Sequence, residues 1–190
     1  MPLFHGLAGL GHPLNPESVY VIDSFPIAAC DNIRIRCCRR YQGEAWRGCQ
    51  ASKKRYFYGL KIHLLITAQG QPVEFFLTPG SESDTKALKE YALDLPDQAT
   101  ITGDKAYNDY GYEDLLEDVD LHLVPIRKKN SKRALDPATT YLMAKARKAI
   151  ETTGSLIERL LPKHIHSVTA TGFELKVGLF VLACSLNFIF

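Results

Sequence analysis

The order of strand-like and helix-like segments is the feature of this sequence that most constrains its fold. Short runs rich in β-branched and aromatic residues come first, and a Gly-containing turn at 69–72 joins two of them as a hairpin. The later runs alternate with helical segments, which favours a mixed sheet with helices packed on it. The predicted strands are 18–23, 56–67, 73–78, 100–104 and 121–125.

Capping residues and prolines mark the helix boundaries. Ser83 or Asp84 is suited to begin a short helix, and Asp136 followed by Pro137 has the pattern of an N-cap with proline at the first helical position. Pro162 ends the long helix that starts there. The predicted helices are 84–93, 111–119, 137–161 and 173–190.

Length and composition limit the chain to one folded domain. A chain of 190 residues suits about one domain, and 46% hydrophobic with 23% charged residues excludes disordered, collagen-like and coiled-coil classes. The apolar run 178–190 is shorter than the roughly twenty residues of a membrane helix, so we expect a buried helix and no membrane partner. We predict an irregular leader at 1–17 and one α/β domain, a five-stranded mixed sheet flanked by helices, at 18–190.

The cysteines indicate a reducing compartment. There are five, an odd number, and no signal peptide precedes them, so we expect a cytoplasmic protein. Four cysteines fall within 30–49, but no C-x-x-C pair occurs, so small core or loop thiols are favoured over a zinc site.

Charge is unevenly distributed despite a net charge of only +2. Residues 32–61 hold nine basic residues against Glu44, and residues 127–148 hold eight against Asp136. Between them, residues 74–120 carry thirteen acids and three bases. Either the two basic segments are ordinary solvated surface, or they bind a polyanion.

Three carboxylates occupy positions suited to a shared site. Asp23 and Asp104 end predicted strands, and Glu151 lies within the long helix. Strand ends can converge at one side of a sheet, where close carboxylates need a counter-ion such as Mg²⁺ or Mn²⁺. Taken singly, each acid is better explained by a turn or a helix cap, and spacing alone does not overturn that interpretation.

Four local motifs give the chain a family resemblance from about Val19 onward. They are V-I-D-S at 21–24, Y-G-L-K-I-H at 58–63, G-D-K-A-Y at 103–107 and R-K-A-I-E-T at 147–152. The chain resembles the catalytic domain of bacterial insertion-sequence transposases of the DDE type, which have a ribonuclease H-like fold. The last two motifs are the most specific, since they are similar to the family's second-Asp signature and its Arg-x-x-x-Glu signature.

The resemblance implies an enzyme that cleaves DNA and transfers strands at the ends of an insertion sequence. Asp23, Asp104 and Glu151 would be its catalytic residues and metal ligands, holding two Mg²⁺ or Mn²⁺ ions. The implied partner is double-stranded DNA, at element ends and target, bound by a homodimer that is cytoplasmic and associated with the nucleoid. The residues expected to contact DNA are Arg39, Arg40, Lys53, Lys54, Arg55, Lys61, Arg127, Lys128, Lys129 and Arg147.

The sequence departs from the family pattern in three respects. Ala144 replaces a frequent Tyr, and Glu158 replaces a frequent Lys and is a rival for the third ligand, although only Glu151 has the arginine at the matching offset. The family usually has a helical DNA-binding region before its first catalytic strand; here the first predicted strand begins at residue 18, so we expect that region to be absent. Two alternatives therefore stay open: a nuclease of the same fold that cuts without joining, and a catalytically idle DNA-binding remnant.

Several other side chains have two interpretations. Lys61 and His63 share one face of a strand, where they would contact phosphate or form a solvated polar edge. Trp46, Tyr56 and Tyr58 lie among arginines, where they would stack on an exposed base or pack in the core. His164 and His166 are expected to be surface histidines, since the sequence offers no third ligand for a metal.

Overall fold

A computed structural model describes residues 18–50, 53–127, 130–186 and 188 of the chain. The predicted leader at 1–17 and the residues Lys128 and Lys129 lie outside the described residues, so predictions about them stay predictions. The strands are β1 Val19–Cys30, β2 Arg47–Gln50, β3 Arg55–Thr67, β4 Pro72–Pro79, β5 Thr100–Gly103 and β6 His122–Pro125.

The strands form one mixed six-stranded sheet. Its order is β2-β3-β1-β5-β6, and β4 also pairs with β3. β1 runs antiparallel to β3 and parallel to β5, and β5 runs parallel to β6. This confirms the predicted mixed sheet and the presence of all five predicted strands, although the sheet has six strands and not five. The sixth strand, β2, was expected to be loop, because its sequence RGCQ has neither alternation nor β-branched residues.

The prediction that the first strand ends at Asp23 is wrong. β1 continues for seven residues beyond Asp23, because its antiparallel pairing with β3 persists from Tyr20 to Cys30. Only the parallel pairing with β5 stops, after Ile22 pairs with Gly103. Pro26 is tolerated in the second half of β1 because that edge has no β5 neighbour to receive a backbone N–H.

Four helices flank the sheet. They are α1 Asp84–Glu90, α2 Tyr110–Glu117, α3 Pro137–Leu160 and α4 Ala170–Leu186. The predicted caps are present, since the Ser83 side chain accepts a hydrogen bond from the backbone N–H of Lys86, and Asp136 accepts those of Ala138 and Thr139. No helix within the described ranges is long and apolar enough to cross a membrane.

Alternation along β1 places a separate core on each face of the sheet. Val21 faces a cluster that includes Ile150 and Ile157 of α3 and Phe173 of α4. Tyr20 and Ile22 face the other cluster, built with α1 and α2; its further buried members include Leu88, Ile101, Tyr107, Leu116 and Leu123. The two-residue period of a strand puts Asp23 on the same face as Val21, so it points to the side that α3 covers.

The β1–β3 pairing includes one irregularity that only glycine can fill. The register shifts between Ala28 and Cys30, opposite Gly59. A Cβ atom at Gly59 would lie 2.2 Å from the carbonyl oxygen of Ile27 and 2.6 Å from the backbone nitrogen of Ala29. Both are backbone atoms, so the clash can be relieved only by moving the two strands apart.

We therefore predict that Gly59→Ala lowers the free energy of unfolding by about 2–3 kcal/mol, as measured by urea denaturation. The matched control is Gly111→Ala in α2, where an added Cβ meets Asp109 at an ordinary 3.6 Å. Alanine there should leave stability unchanged or raise it by up to about 1 kcal/mol. Equal effects of the two substitutions would show that β1 and β3 do not approach each other as closely as described.

Candidate active site

Asp23 and Asp104 are brought together by the end of the parallel pairing between β1 and β5. Each follows the last paired residue of its strand, Ile22 and Gly103. The Asp23 Oδ1 atom accepts a hydrogen bond from the backbone N–H of Ser24 at 2.8 Å, and Asp104 Oδ1 accepts that of Lys105 at 2.6 Å. Both carboxylates line one surface cavity. The expected convergence of these two strand-end acids is therefore present.

Glu151 joins this pair through an arginine. The Arg147 guanidinium donates from Nη1 to Asp104 Oδ1 and from Nε to Glu151 Oε1, both at 2.9 Å. Arg147 precedes Glu151 by four residues on α3, the spacing at which side chains on a helix meet. Arg147 lines the cavity but Glu151 does not, so a cation of the protein itself lies between the second and third carboxylates.

The three carboxylates are not gathered closely enough to form a ready metal cage. Across the described residues, no group of three or more His, Cys, Asp or Glu side chains is arranged to hold a metal ion. The donors nevertheless fit a hard divalent cation, because they are carboxylate oxygens and a positive charge already bridges two of them. Assembly of all three would require Arg147 to release Asp104 and Glu151.

The pKa of Asp23 is raised to about 6. Burial is the largest cause, because it disfavours the charged carboxylate, and the negative charges of Asp104 and Asp84 act in the same direction. The backbone N–H of Ser24 and the positive charge of Arg147 oppose this shift. Asp23 therefore carries an electrostatic cost when it ionises, which a bound cation would relieve.

A polar network on the opposite face of the sheet contains Lys61. Its Nζ atom donates to the backbone carbonyl of Glu82 at 2.6 Å and to Asp84 Oδ1 at 3.0 Å. The Ser24 hydroxyl, next to Asp23, donates to the same Asp84 oxygen at 3.1 Å. From the sequence, Asp84 was predicted only to cap a helix. No local pattern indicates that it binds Lys61, which lies 23 residues earlier on β3.

His63 belongs to the same face and is fully buried. Its Nδ1 lies 3.2 Å from the Tyr107 hydroxyl and its Nε2 lies 3.0 Å from the Thr78 hydroxyl, while its ring stacks on Phe76. Burial lowers the pKa of His63 to about 4, so the ring is neutral at neutral pH. Tyr107 was part of the second-Asp motif, and its position three residues after Asp104 is the signal that links this network to the site.

The residues predicted to bind DNA separate into two groups. Arg39, Lys53, Lys54 and Arg55 are exposed. The others within the described chain have internal partners. Arg40 donates to the carbonyls of Ala29 and Ile165 and to the Ser167 hydroxyl, Arg127 binds Glu113 through two hydrogen bonds, Lys61 binds Asp84, and Arg147 binds Asp104 and Glu151.

The cysteines and aromatic residues of the first basic segment are also placed. Cys30, Cys37, Cys38 and Cys49 are free thiols, and they form no metal cluster with other described residues. Tyr58 is buried and donates to the carbonyl of Gly43, and Trp46 packs on Tyr41 with ring centroids 4.3 Å apart. The remaining aromatic, Tyr56, is exposed.

The raised pKa of Asp23 gives a prediction for pH-dependent stability. Between about pH 4 and pH 6 the unfolded chain loses the Asp23 proton before the folded chain does, so the folded state loses stability as pH rises. Asp23→Asn cannot ionise. In metal-free buffer we expect it to match the wild type near pH 4 and to exceed its free energy of unfolding by about 1–3 kcal/mol at pH 7.

The matched control is Asp97→Asn, at an exposed position. Urea unfolding of both variants from pH 4 to pH 8 is the measurement. A stability difference between wild type and Asp23→Asn that is constant over this range would contradict the burial of the Asp23 carboxylate.

Comparison with known proteins supports the fold and then the family. The structure is similar to that of the piggyBac transposase in a synaptic complex with hairpin DNA, with a TM-score of 0.55 and 11% sequence identity. The match covers 90% of this chain and 46% of the piggyBac chain, and it agrees with the expected ribonuclease H-like fold. Histidinol dehydrogenase of Legionella pneumophila (strain Paris) is 31% identical over 106 residues, 52% of this chain and 24% of that protein. The chain thus spans less than half of the solved relative and about a quarter of the curated one. Residues 14–167 match the family model described as the transposase DDE domain, and the chain belongs to that family.

Proposed function

We propose that this chain is the catalytic domain of a transposase that cleaves DNA at the ends of an insertion sequence and transfers the cut strand to a target. Family membership supports the class of enzyme. The observation that carries the proposal is the meeting of Asp23 and Asp104 in one cavity, with Arg147 extending from Asp104 to Glu151. These are the three acids for which the family resemblance implies a catalytic role.

Asp23, Asp104 and Glu151 would hold divalent cations, Mg²⁺ or Mn²⁺ and two in number. When bound, such ions supply activation of a water molecule or a 3′-hydroxyl and stabilisation of the departing oxygen in phosphoryl transfer. The chain's own contribution is to fix the ligands. The Ser24 backbone N–H orients Asp23, the Lys105 N–H orients Asp104, and Arg147 neutralises Asp104 and Glu151, a role that a bound cation would take over.

Double-stranded DNA is the proposed partner. The exposed side chains of Arg39, Lys53, Lys54 and Arg55 are available for phosphates, whereas Arg40 and Arg127 are engaged internally. The piggyBac relative is complexed with hairpin DNA, which agrees with a nucleic-acid substrate. Binding by a homodimer remains part of the proposal.

A second candidate function is binding of DNA without turnover. It is favoured by one observation: the described carboxylates do not form a group of three around a common point, and Arg147 occupies the space between two of them. A nuclease that cuts but never joins would share the site with the transposase. These alternatives differ in product, so one assay separates all three.

The assay supplies a duplex with a pre-cut 3′-end, a target duplex and Mn²⁺, and it measures hydrolysed and joined products. The wild type should yield joined strands, and Asp104→Asn should reduce both products by at least about 100-fold because an amide is a neutral, weaker ligand than a carboxylate. Asp118→Asn, at an exposed position on the acidic surface, should retain wild-type rates.

The other outcomes are equally informative. Hydrolysis without any joined product would replace the transposase by the nuclease. DNA binding without either product in the wild type would leave the idle DNA-binding protein. Full activity of a correctly folded Asp104→Asn variant would remove Asp104 from the catalytic set.

A further inference from the structure

Ile33 is 93% exposed, more than any other large hydrophobic residue among those that the structure describes. It lies in the first turn of a short 3₁₀ helix, Asn32–Cys37, directly after β1. Arg34 and Arg36 follow it on the same turn and are also exposed. Isolated exposed apolar residues are common and carry no meaning alone, so the surroundings of Ile33 decide its role.

A second exposed apolar side chain lies beside this turn. The Asn32 amide donates to the backbone carbonyl of Tyr56 at 3.0 Å, which fixes the 3₁₀ helix against the start of β3. Tyr56 is 62% exposed. The hydrogen bond therefore holds the turn that carries Ile33 beside Tyr56.

The chain around these two residues is strongly basic. Six exposed cations flank Ile33 and Tyr56 in the chain, and we call them the basic face: Arg34, Arg36, Arg39, Lys53, Lys54 and Arg55.

Four other cations, singled out in the sequence as candidate DNA contacts, have internal partners. Arg40, Lys61, Arg127 and Arg147 each bind a carboxylate or a backbone carbonyl. By contrast, the ion pairs found between described residues include none of the six cations of the basic face; those pairs join other residues, such as Arg47 with Glu44. Unpaired cations at this density are complementary to a polyanion.

We propose that Ile33 is a wedge that enters the minor groove of duplex DNA bound on the basic face and partly unstacks one base step. The inference rests on the proposed DNA substrate and adds a mode of contact to it. Apolar side chains, isoleucine among them, insert between base steps from the minor groove, and neighbouring arginines hold the adjacent phosphates. Tyr56 extends the apolar contact at the same surface.

The length of β1 fixes where the wedge acts. Asp23 and Cys30 are seven residues apart on one strand, a distance of about 23 Å at the rise of a β-strand. Ile33 lies three residues after Cys30, in the 3₁₀ helix that follows the strand. Duplex DNA rises about 3.4 Å per base pair, so a duplex lying along β1 places the unstacked step roughly six to eight base pairs from the scissile phosphate.

The test uses duplexes of one sequence that carry 2-aminopurine at a single position, scanned from the first to the twelfth base pair of a pre-cut end. Unstacking raises 2-aminopurine fluorescence. With the full chain, the increase should be largest at about the sixth to eighth position. Ile33→Ser should reduce that increase at least about threefold, while the dependence of affinity on salt stays unchanged because no charge is lost.

Two further variants complete the design. Arg34→Gln combined with Arg36→Gln should weaken binding to every duplex and reduce the slope of log affinity against log salt by up to about 1.8, or 0.9 for each phosphate contact. The matched control is Val119→Ser. Val119 is 61% exposed but lies between Asp118 and Asp120, after α2 at the β6 side of the sheet, so its replacement should change none of these readings.

The contrary results are distinct. Unchanged fluorescence in a folded Ile33→Ser variant that still binds duplex DNA would overturn the wedge and leave the proposed function intact. A change in self-association measured by sedimentation, without a change in fluorescence, would assign Ile33 to a contact between two copies of the chain and also overturn the wedge. Failure of the wild type to bind any duplex would overturn the proposed function and the wedge together.

Discussion

The bridge that Arg147 makes between Asp104 and Glu151 is the interaction on which the candidate site depends. The carboxylates of Asp104 and Glu151 would repel one another without a positive charge between them. Arg147 supplies that charge at 2.9 Å from each of the two acids. It also connects α3 to the end of β5, so the helix that carries Glu151 is held by charge as well as by the packing of Ile150 and Ile157.

The sheet supplies the other half of the site. β5 ends at Gly103 while β1 continues. Asp23 therefore lies where the pairing of β1 with β5 stops and its pairing with β3 continues. On the far face, Ser24 is connected to Asp84 and Lys61. The strand that bears Asp23 is therefore restrained from both faces, which is the requirement for a carboxylate that must keep a fixed position while it is poorly solvated.

The sequence predicted the order of elements well because the signals are local. Asp136 with Pro137 and the Ser83 cap are recognisable within four residues, and the structure contains both helix starts. The end of β1 was not predictable from local pattern, because Pro26 argues against a central strand. Only the long-range fact that β5 stops at Gly103 makes that proline acceptable.

Charges within the basic segments were harder to interpret than the carboxylates. A lysine or arginine is normally taken to face solvent, yet Lys61, Arg40 and Arg127 turn toward partners that lie 14 to 125 residues away in the chain. No local rule reveals such pairs, because they depend on which elements pack together. Asp23 and Asp104 were found by their motifs, but the raised pKa of Asp23 follows from burial that the sequence does not display.

Arg147 lies between Asp104 and Glu151, where the proposed function would require a divalent cation. Titration calorimetry with Mn²⁺ in the absence of DNA tests directly whether Arg147 and a cation compete for these carboxylates. Arg147→Gln should bind Mn²⁺ about tenfold more tightly than the wild type, a difference of ~1.4 kcal/mol, while Lys148→Gln, at the exposed neighbouring position, should match the wild type. Affinity that is unchanged or weakened in Arg147→Gln would contradict this competition.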